Sequence, residues 1–206
     1  MSEVCVAYVG SDARCASMAL SHLSLSLSLG GETLSRVPQK IPGGLFGMSL
    51  QATIELAEPA SEIGISKNNL VNEEGTAIVL PVRMRLENPL LGSECYVGSR
   101  SSPIVLHLTT GRTNPDLPNK TIDGTGGRLQ LTDNLEIVGL AGPVLVDNSF
   151  SMPGATGCGG AGEAPLVDSM IDHVLGLPSP DGYNTIVENN RLKEASIENV
   201  ITHEGE

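Results

Sequence analysis

The sequence predicts an all-β protein, an antiparallel β-sandwich with a barrel as second choice and one short helix near residues 164–175. Three observations predict it. Apolar and polar residues alternate with period two in several short runs, clusters of Gly, Pro, Asn and Asp separate those runs, and one segment alone repeats at helical spacing. No break in composition divides the 206 residues. A single β-rich domain, residues 1–206, is therefore expected, with an irregular segment at 1–20 and a frayed acidic tail at 202–206. A chain of this length buries roughly 70% of its unfolded surface as one domain.

The clearest strands lie between Val79 and Thr110. Val82, Met84 and Leu86 alternate with Arg83, Arg85 and Glu87, and beyond a turn-rich loop Ile104, Leu106 and Leu108 alternate with Val105, His107 and Thr109. Each run has one apolar and one polar face. Asn88-Pro89, Gly92 and Gly98 mark the connection, which carries Cys95. Upstream, Leu23, Leu25, Leu27 and Leu29 alternate with serines, Gly30-Gly31 turns the chain, and Thr33 to Val37 returns. Leu50, Ala52, Ile54 and Leu56 alternate again within Met48 to Leu56. EPASEIGISKNNLVNEEG reads as polar loop with a short strand at Ile63 to Ser66. After a long Gly- and Pro-containing turn region, strand signals recur at Arg128 to Thr132, Leu135 to Leu140 and Pro143 to Phe150. Ala164 to Leu175 is the helix, with Leu166, Val167, Met170, Ile171, Val174 and Leu175 recurring at three and four residues. Gly176 and Pro178 stop it. Thr185 to Glu188 and Ala195 to Val200 close the chain as one or two strands. No repeat of 20 to 50 residues points to a solenoid or propeller.

Composition narrows the function classes. Aromatics make up 2% and Trp is absent, so the core is aliphatic and no aromatic platform exists on which sugars or bases could stack. The 24 acidic residues against 12 basic ones give a formal net charge of −12. Such a surface repels nucleic-acid phosphate, so no nucleic-acid partner is expected. The same acidity keeps a β-rich protein in solution and opposes edge-to-edge pairing. No apolar run reaches the ~18 to 20 residues of a membrane helix, so no integral membrane segment is expected. MSEVCVAYVG has neither the basic start nor the long apolar stretch of an export signal.

The four cysteines, at positions 5, 15, 95 and 158, are an even set in a glycine-rich β-protein and suggest two disulfides. Of the three pairings possible, Cys5 with Cys15 and Cys95 with Cys158 is favoured, and inert free thiols are the rival. Zinc would need closer ligand pairs such as C-x-x-C, and no basic residue adjoins Cys158 to activate it as a nucleophile.

Gly157-Cys158-Gly159-Gly160-Ala161-Gly162 matches G-x-G-x-x-G ahead of the helix, with Asp181 beyond it. That fingerprint works as the turn between a buried parallel strand and its helix. Here SMPGAT separates the preceding strand and no βα alternation surrounds it, so a glycine loop around a disulfide is expected and no cofactor. His22, His107, His173 and His203 are scattered, with no H-x-x-x-H pair for a metal. Asp168 and Asp172, four apart on one helical face beside His173, are the nearest approach to a catalytic cluster; a solvated helix face is the expected account. No G-x-S-x-G elbow occurs, and Glu73-Glu74 sits in polar loop. Asp123-Gly124, Asp133-Asn134, Asp147-Asn148 and Asp181-Gly182 carry oxygen ligands of the kind calcium takes, and are read as ordinary turn formers. No catalytic or metal residue is assigned.

The segments LPVRMRLENPLLGSECYVGSRSSPIVLHLTTGRTNPDLPNKTIDGTGG, LVDNSFSMPGATGCG and LGLPSPDGYNT resemble, in that order, a family of secreted proteins of unknown function from actinomycete bacteria. The resemblance covers roughly Pro81 to Thr185. It implies export and disulfides, carried here onto Cys95 and Cys158 and, on a looser likeness, onto Cys5 and Cys15. It transfers no catalytic residue.

The expectation is an exported, disulfide-containing β-sandwich that is not an enzyme and binds a protein or envelope partner outside the cell or in its envelope, through loops or a sheet face. The alternative is an extracellular hydrolase acting on cell-wall or other polymer, with Asp168, Asp172 and His173 as its candidates. A coat component assembling through unpaired edges is a third reading, prompted by the weakly charged LSLSLSL strand.

Overall fold

The computed structural model describes residues 4–7, 25–29, 32–35, 39–45, 48–59, 62–132, 137–160 and 164–196. Their strands are β1 (Val4–Ala7), β2 (Leu25–Leu29), β3 (Glu32–Ser35), β4 (Gln39–Leu45), β5 (Met48–Leu56), β6 (Gly64–Ile65), β7 (Ile78–Glu87), β8 (Tyr96–Val97), β9 (Ile104–Leu108), β10 (Arg128–Thr132), β11 (Ile137–Asp147), β12 (Ala155–Thr156) and β13 (Asn184–Ser196). Two helices, α1 (Lys67–Asn72) and α2 (Ala164–Leu175), complete them. The strands form two antiparallel sheets in a sandwich-like arrangement, with no closed barrel among the described residues. One sheet runs β10-β11-β13-β2-β3 with β1 also on β13; the other runs β12-β8-β7-β5-β4 with β6 and β9 also on β7.

β7 is the spine of the second sheet. Leu80, Val82, Met84 and Leu86 face inward and are buried, joined by Leu50, Ala52 and Ile54 of β5 and by Ile104, Leu106 and Leu108 of β9. Leu145 of β11 and Ile186 of β13 close this core from the first sheet. The outward face carries the alternate residues, and its charges pair with one another: Arg83 with Glu55 at 3.0 Å, Arg85 with Glu87 at 2.6 Å, and the Arg83 guanidinium over the Tyr96 ring at 4.1 Å.

Pro81 shows which way each backbone faces. Its carbonyl accepts the Ala57 amide at 3.1 Å, so residue 81 points toward β5, and its missing N–H falls where β5 ends. Val105, directly across from Pro81, therefore turns its own N–H and C=O away from β7. The same parity aims the His107 and Thr109 amides outward, where they reach Asp147 Oδ2 (2.7 Å) and the Val146 carbonyl (2.9 Å). Here β9 meets β11 and the two sheets join.

Several elements differ from the pattern reading. The two strands expected at Leu135 to Leu140 and Pro143 to Phe150 are one strand, β11, because Gly142 at φ 71° makes a bulge that resets the alternation between Ala141 and Val144. Of the one or two final strands expected, the described residues hold one, β13, and residues 197–200 lie outside them. A strand, β1, lies within the segment expected to be irregular. β2 lies between β13 and β3 and so is not the unpaired edge that the assembly reading required. α1 is a second helix inside the expected polar loop. It buries Leu70 alone, starts with Ser66 accepting the Asn69 amide and stops at Glu73 in the left-handed region; six residues with one apolar anchor leave no periodic signal. The final residues 202–206 lie outside the described residues.

Candidate binding groove

Cys95 and Cys158 form a disulfide, with sulfurs 1.97 Å and Cα atoms 4.1 Å apart. Both are buried. The bond ties the β7–β8 connection to the glycine loop after β12, and the Gly159 amide adds a hydrogen bond to the Leu91 carbonyl at 2.9 Å. The Cys5 to Cys15 pairing lies outside the described residues.

α2 hangs from this knot by its acidic face. Asp168 accepts the Cys158 amide at 2.8 Å and the Gly157 amide at 3.3 Å, and Asp172 accepts the Ala155 amide at 2.6 Å. The expected solvated face is thus a docking face, because the amides of Ala155 in β12 and of Gly157 and Cys158 in the loop after it take the carboxylates as their acceptors. His173 is exposed at the helix end. The hydrolase candidates therefore include two carboxylates already occupied with backbone. The G-x-G-x-x-G stretch follows a two-residue antiparallel strand and carries the disulfide, which is not the parallel strand–turn–helix that cradles a pyrophosphate.

Beyond α2 the chain returns to the sandwich and builds a wall. Met152 and Ser179 exchange backbone hydrogen bonds of 2.7 and 2.9 Å, joining residues 149–153 to 178–181. Asn184, fully buried, clamps both segments, its Nδ2 donating to Phe150 O at 2.9 Å, Pro180 O at 3.0 Å and Ser179 O at 3.4 Å. Between this wall and the outward edge of β9 lies an open groove of about 550 Å³. Pro103, Pro153, Pro178 and Pro180 stiffen its sides, and His107 and Asp181 are its ionisable groups.

Asp147 is buried behind the groove, where one oxygen accepts the amide of the lining residue His107. Its second oxygen accepts the Ser149 amide at 2.8 Å, and its side chain is 2% exposed. Burial holds its carboxyl above the ordinary aspartate range, the two amide hydrogen bonds oppose that rise, and the charge of Asp181 adds to it.

The remaining turn candidates scatter. Asp123 pairs with exposed Arg112 at 2.7 Å, Glu73 accepts the Gly126 amide at 2.6 Å, and Asp133-Asn134, His22 and His203 lie outside the described residues. No group of three or more His, Cys, Asp or Glu that could hold a metal occurs among the described residues, and no helix there is long and apolar enough to cross a membrane. Pattern reading placed His107 on a polar face but missed the groove, whose walls come from segments far apart in sequence. Comparison with family models, with curated proteins and with solved structures finds no match to this chain.

Proposed function

We propose that this is an exported, non-enzymatic binding protein that works in an oxidising space outside the cell or in its envelope and grips a partner in the β9 groove. The observation that carries the reading is the groove itself: a concave, proline-walled edge fixed to a disulfide-stapled sandwich. Preformed clefts with apolar walls and a few polar groups are the usual form of a binding site, and a wall held by Asn184 and the Met152–Ser179 bridge loses little entropy on binding. Disulfides persist in secreted and envelope proteins, which supports export. The hydrolase alternative draws little from α2, since Asp168 and Asp172 are spent on backbone amides.

The test is site-specific photocross-linking in the cells that make the protein. A cross-linker at Val105, in the groove, is expected to trap a component of the envelope or extracellular fraction, and one at exposed Val71 on α1 is not. No product from Val105, or the same product from both positions, would refute the proposal.

A further inference from the structure

Resting on that reading of the groove, we infer that its occupant is an extended, cationic peptide segment that adds to β9 as an extra strand. The free edge carries the first half of the inference. Residues 105, 107 and 109 face away from β7; the amides of His107 and Thr109 are taken by Asp147 and Val146, whereas the Val105 N–H, the Val105 C=O and the His107 C=O have no partner among the described residues. These groups open into the groove, since Pro103, Val105 and His107 line it. A peptide residue opposite Val105 would exchange both hydrogen bonds with it, as in any antiparallel pair. Asp147 and Pro103 end the accessible edge on either side and so fix the register. They also limit the uncontrolled pairing to which a longer bare edge is prone.

Charge carries the second half. Asp181 lines the groove, one of its oxygens, Oδ1, is buried without a hydrogen-bond partner, and no cation forms an ion pair with it among the described residues. A lysine or arginine from an incoming strand would supply the counter-charge that this groove-lining carboxylate lacks. The net charge of −12 draws such a segment in and repels a second copy of this chain. The prolines and the exposed side chain of Val105 give the strand's alternate side chains an apolar surface.

The probe is a capped seven-residue peptide alternating valine and lysine, titrated into the intact, oxidised protein while amide hydrogen exchange is followed. Binding is expected to slow exchange of the Val105 amide at least about tenfold, to weaken about tenfold or more when peptide amides at alternate positions are N-methylated, and to weaken similarly in Asp181→Asn, which removes charge without removing a hydrogen bond that the fold uses. A peptide alternating valine and glutamate is expected not to bind. Unchanged exchange at Val105, equal binding of the N-methylated peptide, or concentration-dependent dimerisation through this edge would overturn the inference. If no peptide binds while the Val105 cross-link persists, the strand-addition inference falls and the groove's binding role stands; if the cross-link also fails, both fall.

Discussion

The Asp168 carboxylate accepts the amide of Cys158, the residue bonded through sulfur to Cys95, at 2.8 Å. One helix side chain thus holds the backbone of the covalent staple. Asp168→Ala leaves the Cys158 and Gly157 amides without their acceptor, so a loss of about 1 to 3 kcal/mol is expected, seen as a lower urea midpoint at unchanged m-value. Asp172→Ala, which strands the Ala155 amide, should act in the same direction. Stability unchanged in both variants would mean that α2 is not held by its acidic face.

The glycine loop is a fitted part. Gly157 has φ 76°, and a Cβ there would collide with the Glu94 carbonyl oxygen; Gly160 has φ 78° and open space around it. Gly160→Ala should therefore cost only the left-handed backbone, about 1 to 2 kcal/mol. Gly157→Ala should cost more than Gly160→Ala, by about 1 to 3 kcal/mol for the overpacking. Thermal melts of the two alanine variants side by side measure the difference.

Removing the staple should be costly. The Cys95 to Cys158 bond has a sequence separation of 63, for which the loop-entropy model gives about 4 kcal/mol. Cys95→Ser with Cys158→Ser is expected to lower stability by about that amount, and wild type plus reductant should match the double variant in denaturant titration.

Asp147 gives the fold a pH dependence of defined sign. Its folded pKa lies above the ordinary aspartate value of 3.8, chiefly through burial. Folding therefore binds a proton at this site, so its contribution is fully present below 3.8 and is lost as pH rises through the raised value. Stability from this group should grow as pH falls from neutrality toward that window. Asp147→Asn should abolish this part of the slope and, because an amide has one oxygen to serve the His107 and Ser149 amides, cost about 1 to 3 kcal/mol at acidic pH. Carboxyl-carbon titration by NMR, together with stability against pH for both proteins, checks it.

The sandwich core was legible where one face is wet. Leu80 to Leu86 and Ile104 to Leu108 follow the two-residue alternation, and α2 has the expected bounds. β11 was not legible as one strand, because the bulge at Gly142 shifts inward positions by a residue and imitates a turn. The roles of Asp168, Asp172 and Asn184 were hidden for another reason. Each is set by backbone groups that fold onto it from elsewhere in the chain, and no local period records such a partner. The groove is the extreme case, since residues 103–107, 149–153 and 178–181 converge only once the sheets have closed.

The most direct measurement of the central claim is the thiol state of Cys95 and Cys158 in the cells that make the protein, by alkylation with and without prior reduction and mass analysis of each cell fraction. Protein recovered from the extracellular or envelope fraction is expected to have both cysteines blocked until reductant is added. Protein recovered from the cytoplasm with both thiols freely alkylated would contradict the central claim.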